Sequence, residues 1–136
     1  MAVCRWDPEL AREQTRILLD AQLASGALPD LVLMNGEIFD RFGKPPVMRW
    51  PLMLVDRRDP SDAFLSYAYD RFLAYEAFWM HERGGEAEGL SRYDSDSDDP
   101  GEWFDDAKLE SGWDDAVRLD QASFDLWPVD LNGFMG

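Results

Sequence analysis

Residues Asp94-Ser95-Asp96-Ser97-Asp98-Asp99 place four carboxylates in one short run. The alternation at 94, 96 and 98 matches the first three ligand positions of an EF-hand calcium loop. The pattern then fails. Asp99 stands where the sharp turn needs glycine, Pro100 follows, and Asp105 takes the place of the bidentate glutamate. No cofactor and no metal is therefore expected. Cys4 is the single cysteine and His81 the single histidine, so Ser-His-Asp, Cys-His and multi-histidine metal chemistries lack their parts. His81 reads as a last-turn helix residue, where the dipole favours a cation. A glycosidase-like pair of carboxylates is available by residue type. That chemistry needs one carboxyl desolvated among apolar groups, and these acids crowd a segment that reads as exposed. The chain is accordingly expected not to be an enzyme.

The acids are unevenly placed. The 136 residues carry a formal net charge of −15, with 28 acidic and 13 basic residues. Residues 1–83 hold net −3, and residues 84–136 hold net −12. A nucleic-acid binder working through a broad basic face is excluded, so no direct nucleic acid is expected. The acidic end also carries Tyr93, Trp103, Phe104, Trp113, Phe124, Trp127 and Phe134. Disordered polyanions are poor in aromatics. This end is therefore expected to fold by inserting its rings and pointing its carboxylates outward.

The elements that must position these groups follow from local patterns. Asp7 as N-cap, Pro8 at the first helical position and Glu9 in the first turn predict a helix over residues 8–25, closed by Gly26. Its apolar face should hold Leu10, Ile17, Leu18 and Ala21. Leu31–Met34 and Glu37–Phe39 flank Asn35-Gly36, a strong hairpin signal. Residues 47–55 read as a third extended run, put at an edge or bulge by Pro51. Asp59-Pro60-Ser61-Asp62 opens a second long helix over 63–82, with Phe64, Leu65, Ala68, Phe72, Tyr75 and Trp79 on one face and further apolar residues widening it. A helix apolar on most sides is buried or covered by a partner. Residues 86–101 read as a loop, 102–110 and 113–121 as short helical turns, and 124–136 as an irregular segment docked by Trp127.

The expected fold is a single α+β domain over residues 1–136. It has two main helices, a small antiparallel hairpin-based sheet and an acidic, aromatic-pinned C-terminal region. No apolar run is long enough to span a membrane and no secretory signal is visible. With one cysteine, a reducing, cytoplasmic setting is the expectation.

In size, composition and charge placement the chain resembles small acidic proteins of phages and mobile elements, the anti-restriction and anti-CRISPR inhibitors, some of which imitate DNA. It is similar too to acidic immunity proteins that neutralise nuclease toxins. No motif is shared, so the resemblance carries over no residue roles; it is the net −12 of residues 84–136, held on an aromatic-pinned frame, that points to an inhibitor filling the basic groove of a nucleic-acid-handling partner, a CRISPR effector subunit or a nuclease. Asp94, Asp96, Asp98, Asp99, Glu102, Asp105, Asp106, Asp114 and Asp115 would make the contacts. Trp103, Phe104 and Trp113 would hold or anchor them. The alternative is a structural or adaptor homodimer, seamed along the second long helix, with a merely solvated acidic face.

Overall fold

The computed structural model describes residues 5–84, 89–115, 117 and 126–135. Among these the chain forms five helices and one two-stranded antiparallel sheet, a small α+β fold.

Helix α1 spans Pro8–Asp20. Asp7 caps it by accepting the Leu10 N–H at 3.0 Å. It stops earlier than the pattern predicts, and Gly26 is still indispensable to the turn that follows. That glycine has φ +93°, and a Cβ there would lie 2.3 Å from the Ala74 carbonyl oxygen. The buried face is also rotated from the predicted one. Ala11, Arg12, Thr15 and Leu19 are buried, whereas Leu10 and Ile17 are exposed. Polar pairing explains the difference. Thr15 donates to the Ala11 carbonyl at 2.8 Å, and Arg12 is held between Glu9 (2.9 Å) and Asp59 (2.7 Å).

Strands β1 (Leu31–Val32) and β2 (Ile38–Phe39) pair with Leu31 opposite Phe39 and Val32 opposite Ile38. Asn35-Gly36 makes the tip, with Gly36 at φ +86° and the Asn35 side chain accepting the Glu37 N–H.

Residues 49–58 are helical, not extended: α2 spans Arg49–Arg58. Pro51 misled the sequence reading. It lies in the first turn, where a backbone N–H has no intrahelical acceptor and a proline costs nothing. Helix α3 spans Asp62–His81, capped by Ser61, and His81 falls in its last turn as expected. Its buried residues are Phe64, Ala68, Tyr75, Phe78 and Trp79, while Leu65, Tyr69 and Leu73 stay exposed. No helix among the described residues is long and apolar enough to cross a membrane.

Helix α4 spans Trp103–Ser111, close to the predicted 102–110, and ends on Gly112 in the left-handed conformation. Helix α5 spans Val129–Met135, where an irregular segment was expected. Asn132 explains its docking. The side chain accepts the Ser91 N–H at 2.7 Å and donates to the Ser91 carbonyl at 2.9 Å, and Leu131 is buried below it. Most of the helical turn predicted over 113–121 lies outside the described residues.

The core forms where α3 meets the other elements. Trp79 packs edge-on against Tyr75, Phe78 and Tyr93, with ring centroids 6.2, 5.5 and 6.1 Å away. Leu19, Leu28, Leu52, Ala107 and Leu131 close around this group. Tyr93 thereby anchors the 90s segment to α3.

Candidate functional site

The ends of several elements converge at one pole of the fold. The Lys44 ammonium, just after the hairpin, donates to the Leu109 carbonyl near the end of α4 at 3.0 Å and pairs with Asp30 at 2.8 Å. Tyr75 of α3 donates its hydroxyl to the Lys44 carbonyl. Arg83, one turn beyond Trp79, is only 3% exposed. Its guanidinium meets Glu110 of α4, with Nε 3.0 Å and Nη2 2.9 Å from Oε1. The same group meets Asp96 through Nη1–Oδ1 and Nη2–Oδ2, both 2.9 Å. Phe78 lies under its plane, 4.7 Å away.

Glu110 is 0% exposed. Burial lifts its carboxyl above the usual range, and Arg83 and the Asp94 N–H at 2.9 Å pull against that shift. Burial likewise opposes the charge on Arg83, but Asp96 and Glu110 more than offset it and hold the proton tighter than normal. A cavity of about 250 Å³ opens beside this knot, lined in part by Ser25, Asp40, Phe42, Glu82, Arg83 and Asp96.

Immediately past the knot the chain makes a tight turn. Gly112 has φ +70°, a conformation that suits glycine. The Ser111 hydroxyl donates to the Lys108 carbonyl at 2.7 Å and accepts the Trp113 N–H at 3.0 Å. Trp113, 60% exposed, and the exposed Asp114 and Asp115 follow on this braced turn. Trp113 offers an exposed apolar ring face, and the two carboxylates are acceptors for hydroxyl groups.

The acids singled out by sequence do not share one environment. Asp98, Asp99 and Asp105 are exposed. Asp94 pairs with Arg92 at 3.2 Å. Asp96 faces the buried Arg83. Glu102 binds Arg41 at 2.7 Å and accepts the Ser97 hydroxyl at 2.7 Å. Asp106 is 1% exposed, paired with Arg41 at 2.9 Å and bonded to Ser95 at 2.7 Å. The expectation that the carboxylates point outward therefore fails at Asp106 and Glu110. Cations from the first part of the chain, Arg41 and Arg83, reach across to neutralise them.

Among the aromatics, Tyr93 is inserted, whereas Trp103 and Trp113 remain partly exposed; Trp103 donates its indole N–H to the Ser97 carbonyl at 2.7 Å. The first calcium-like positions are engaged by arginines, and no metal-holding group of three or more His, Cys, Asp or Glu occurs among the described residues. Sequence reasoning missed Arg83, Arg41, Asp40 and Glu82. Their signal is weak, since ordinary charged residues at element ends are usually solvated.

A second cavity, about 580 Å³, is lined by Pro46, Val47, Arg49, Trp50, Pro51, Met53, Gly133 and Phe134. It offers apolar surface but no carboxylate. The charged pole is thus the part of the described structure equipped for acid–base chemistry.

No curated protein and no solved structure matches the chain. The family model of the mannosylglycerate hydrolase MGH1-like glycoside hydrolase domain matches residues 1–126. This match overturns the reading as a DNA-mimicking, anti-CRISPR or anti-restriction inhibitor, together with the expectation of no enzyme activity. The acidity that suggested a phosphate mimic is partly consumed inside the fold, and the remainder includes carboxylates of the kind glycoside hydrolysis uses. The chain belongs to the MGH1-like family of glycoside hydrolase domains.

Proposed function

We propose that this chain hydrolyses a glycosidic bond, with an acid/base carboxylate supplied by the turn after α4. The family match over residues 1–126 carries this reading. The braced Gly112 turn supports the choice of residues, because a catalytic carboxyl must be held within a fraction of an ångström of its working position. Asp114 or Asp115, exposed in the free chain, is desolvated when a sugar covers Trp113 and then protonates the leaving oxygen as the bond from the anomeric carbon breaks. A second carboxylate, for which Asp40 and Glu82 on the cavity wall are the candidates, takes a proton from the water that adds to that carbon. Trp113 offers a platform for a sugar ring.

The family's name makes mannosylglycerate the first compound to try, followed by aryl glycosides with good leaving groups. Sugar release by the wild type should fall about 10²- to 10⁴-fold in kcat for Asp114→Asn or Asp115→Asn. An activated aryl substrate, which needs little protonation of its leaving group, should be spared by whichever variant has lost the acid. Wild-type kcat in both variants would remove the turn from the mechanism.

A further inference from the structure

We infer that Arg83 is a positioning residue, acting through Glu110 to fix the turn that carries Trp113, Asp114 and Asp115. This inference rests on the proposed placement of the acid/base carboxylate for its catalytic consequence, but its structural half stands alone. The geometry is a short chain of rigid links. Arg83 is buried at the end of α3 and spends its planar fork on two carboxylates at once, Glu110 and Asp96. Glu110 is buried too, and its second oxygen takes the Asp94 N–H. Asp96 and Asp94 belong to the segment that Tyr93 roots against Trp79. Arg83 therefore ties the end of α3, the 94–96 segment and the end of α4 into one body.

Two residues after Glu110 the chain reverses at Gly112. A shift at Glu110 has only Ser111 and Gly112 to absorb it before reaching Trp113, and Ser111 is itself bonded to Lys108 and Trp113. The link is specific for arginine. A lysine ammonium is a point charge and cannot serve two carboxylates in one plane. The knot differs from a merely stabilising ion pair in what it should move: the local order of 109–115, and kcat rather than KM.

Hydrogen exchange followed by mass spectrometry on the full chain tests the structural half without any substrate. Glu110→Gln keeps the side chain's shape while removing its charge; Arg83→Lys and Arg83→Met remove the fork. Exchange in peptides covering 94–96 and 109–115 should rise about tenfold or more in each variant that folds, with α1 and the hairpin unchanged. Unaltered exchange at 109–115 in folded Glu110→Gln overturns the inference, and should Arg83→Met fail to fold, Glu110→Gln and Arg83→Lys decide. The kinetic arm expects kcat to fall at least tenfold with KM within about twofold, and Arg83→Lys to rescue neither kcat nor exchange. Rescue by lysine, or an equal change in KM, overturns the specific positioning role. If exchange rises in the variants while the wild type hydrolyses no glycoside, the knot is upheld and the hydrolase reading alone falls.

Discussion

Trp79 and Arg83 sit four residues apart at the same end of α3 and are about equally buried, 0% and 3% exposed, yet they are held by opposite physics. Trp79 is surrounded by Tyr75, Phe78 and Tyr93 rings, each contributing edge-on contact and apolar area. Its environment is non-directional, so the loss of one neighbour leaves the others in place. Arg83 is held by two carboxylates with fixed geometry, and its burial is tolerable only while they are present. The aromatic centre supplies stability. The ionic knot supplies a defined spatial relation between segments distant in sequence.

The largest expected effect breaks the aromatic side. Trp79→Ala should lower unfolding free energy by about 4 kcal/mol, within the range for removing a buried large aromatic. Glu110→Ala should follow at about 3 kcal/mol, because it strands a buried guanidinium with only the more exposed Asp96. The sharpening control is Arg83→Met combined with Glu110→Leu. Replacing both charges by apolar groups should bring stability back to within about 1 kcal/mol of the wild type, whereas no partner change should rescue Trp79→Ala. Urea unfolding followed by circular dichroism measures all of these. A double variant no more stable than Glu110→Ala alone would show that the knot also carries packing that methionine and leucine cannot replace.

The same contrast explains what the sequence made legible. Local signals were readable: Asp7 and Ser61 cap helices, Asn35-Gly36 turns a hairpin, and the aromatic stripe from Phe64 to Trp79 marks the core helix. Residues 49–58 were misread because Pro51 weighs the same at a strand edge and in a first helical turn, and only tertiary context separates the two. The site was harder. Net charge counted along the chain assigns Arg83 to one part and Asp96 and Glu110 to another, although in space they form one cluster. A separation of 27 residues between Arg83 and Glu110 has no periodic signature. Asp114 and Asp115 were visible as acids, but their place just after a helix-ending turn depends on Gly112 and Ser111, and the family relationship is one that composition does not carry.

Smaller effects come from single polar contacts. Tyr75→Phe removes the hydroxyl that donates to the Lys44 carbonyl, a bond that holds the post-hairpin loop against α3. With the ring retained, the loss should be about 1–2 kcal/mol, the cost of leaving a buried acceptor unpaired. Burial also pushes this hydroxyl's pKa well above the ordinary tyrosine value, so its donor should persist through neutral and mildly alkaline pH. A loss near zero would mean that water replaces the missing donor.

The smallest effect belongs to Glu9, whose carboxylate serves Arg16 at 3.0 Å and Arg12 at 2.9 Å on the open side of α1. The hydrogen bond from Arg16, then that from Arg12, holds its pKa below the ordinary 4.5. A carboxyl lowered on folding adds stability that is fully present above the unfolded value and disappears as pH falls through the folded one. Wild type and Glu9→Gln should therefore unfold alike at pH 2, separate slightly between there and pH 5, and stay at a constant small offset above it. Salt should shrink that offset, because the pair is exposed. Carboxyl NMR titration gives the pKa directly, and urea midpoints across the same range give the linkage. An offset that grows on acidification would mean that folding raises the Glu9 pKa instead of lowering it.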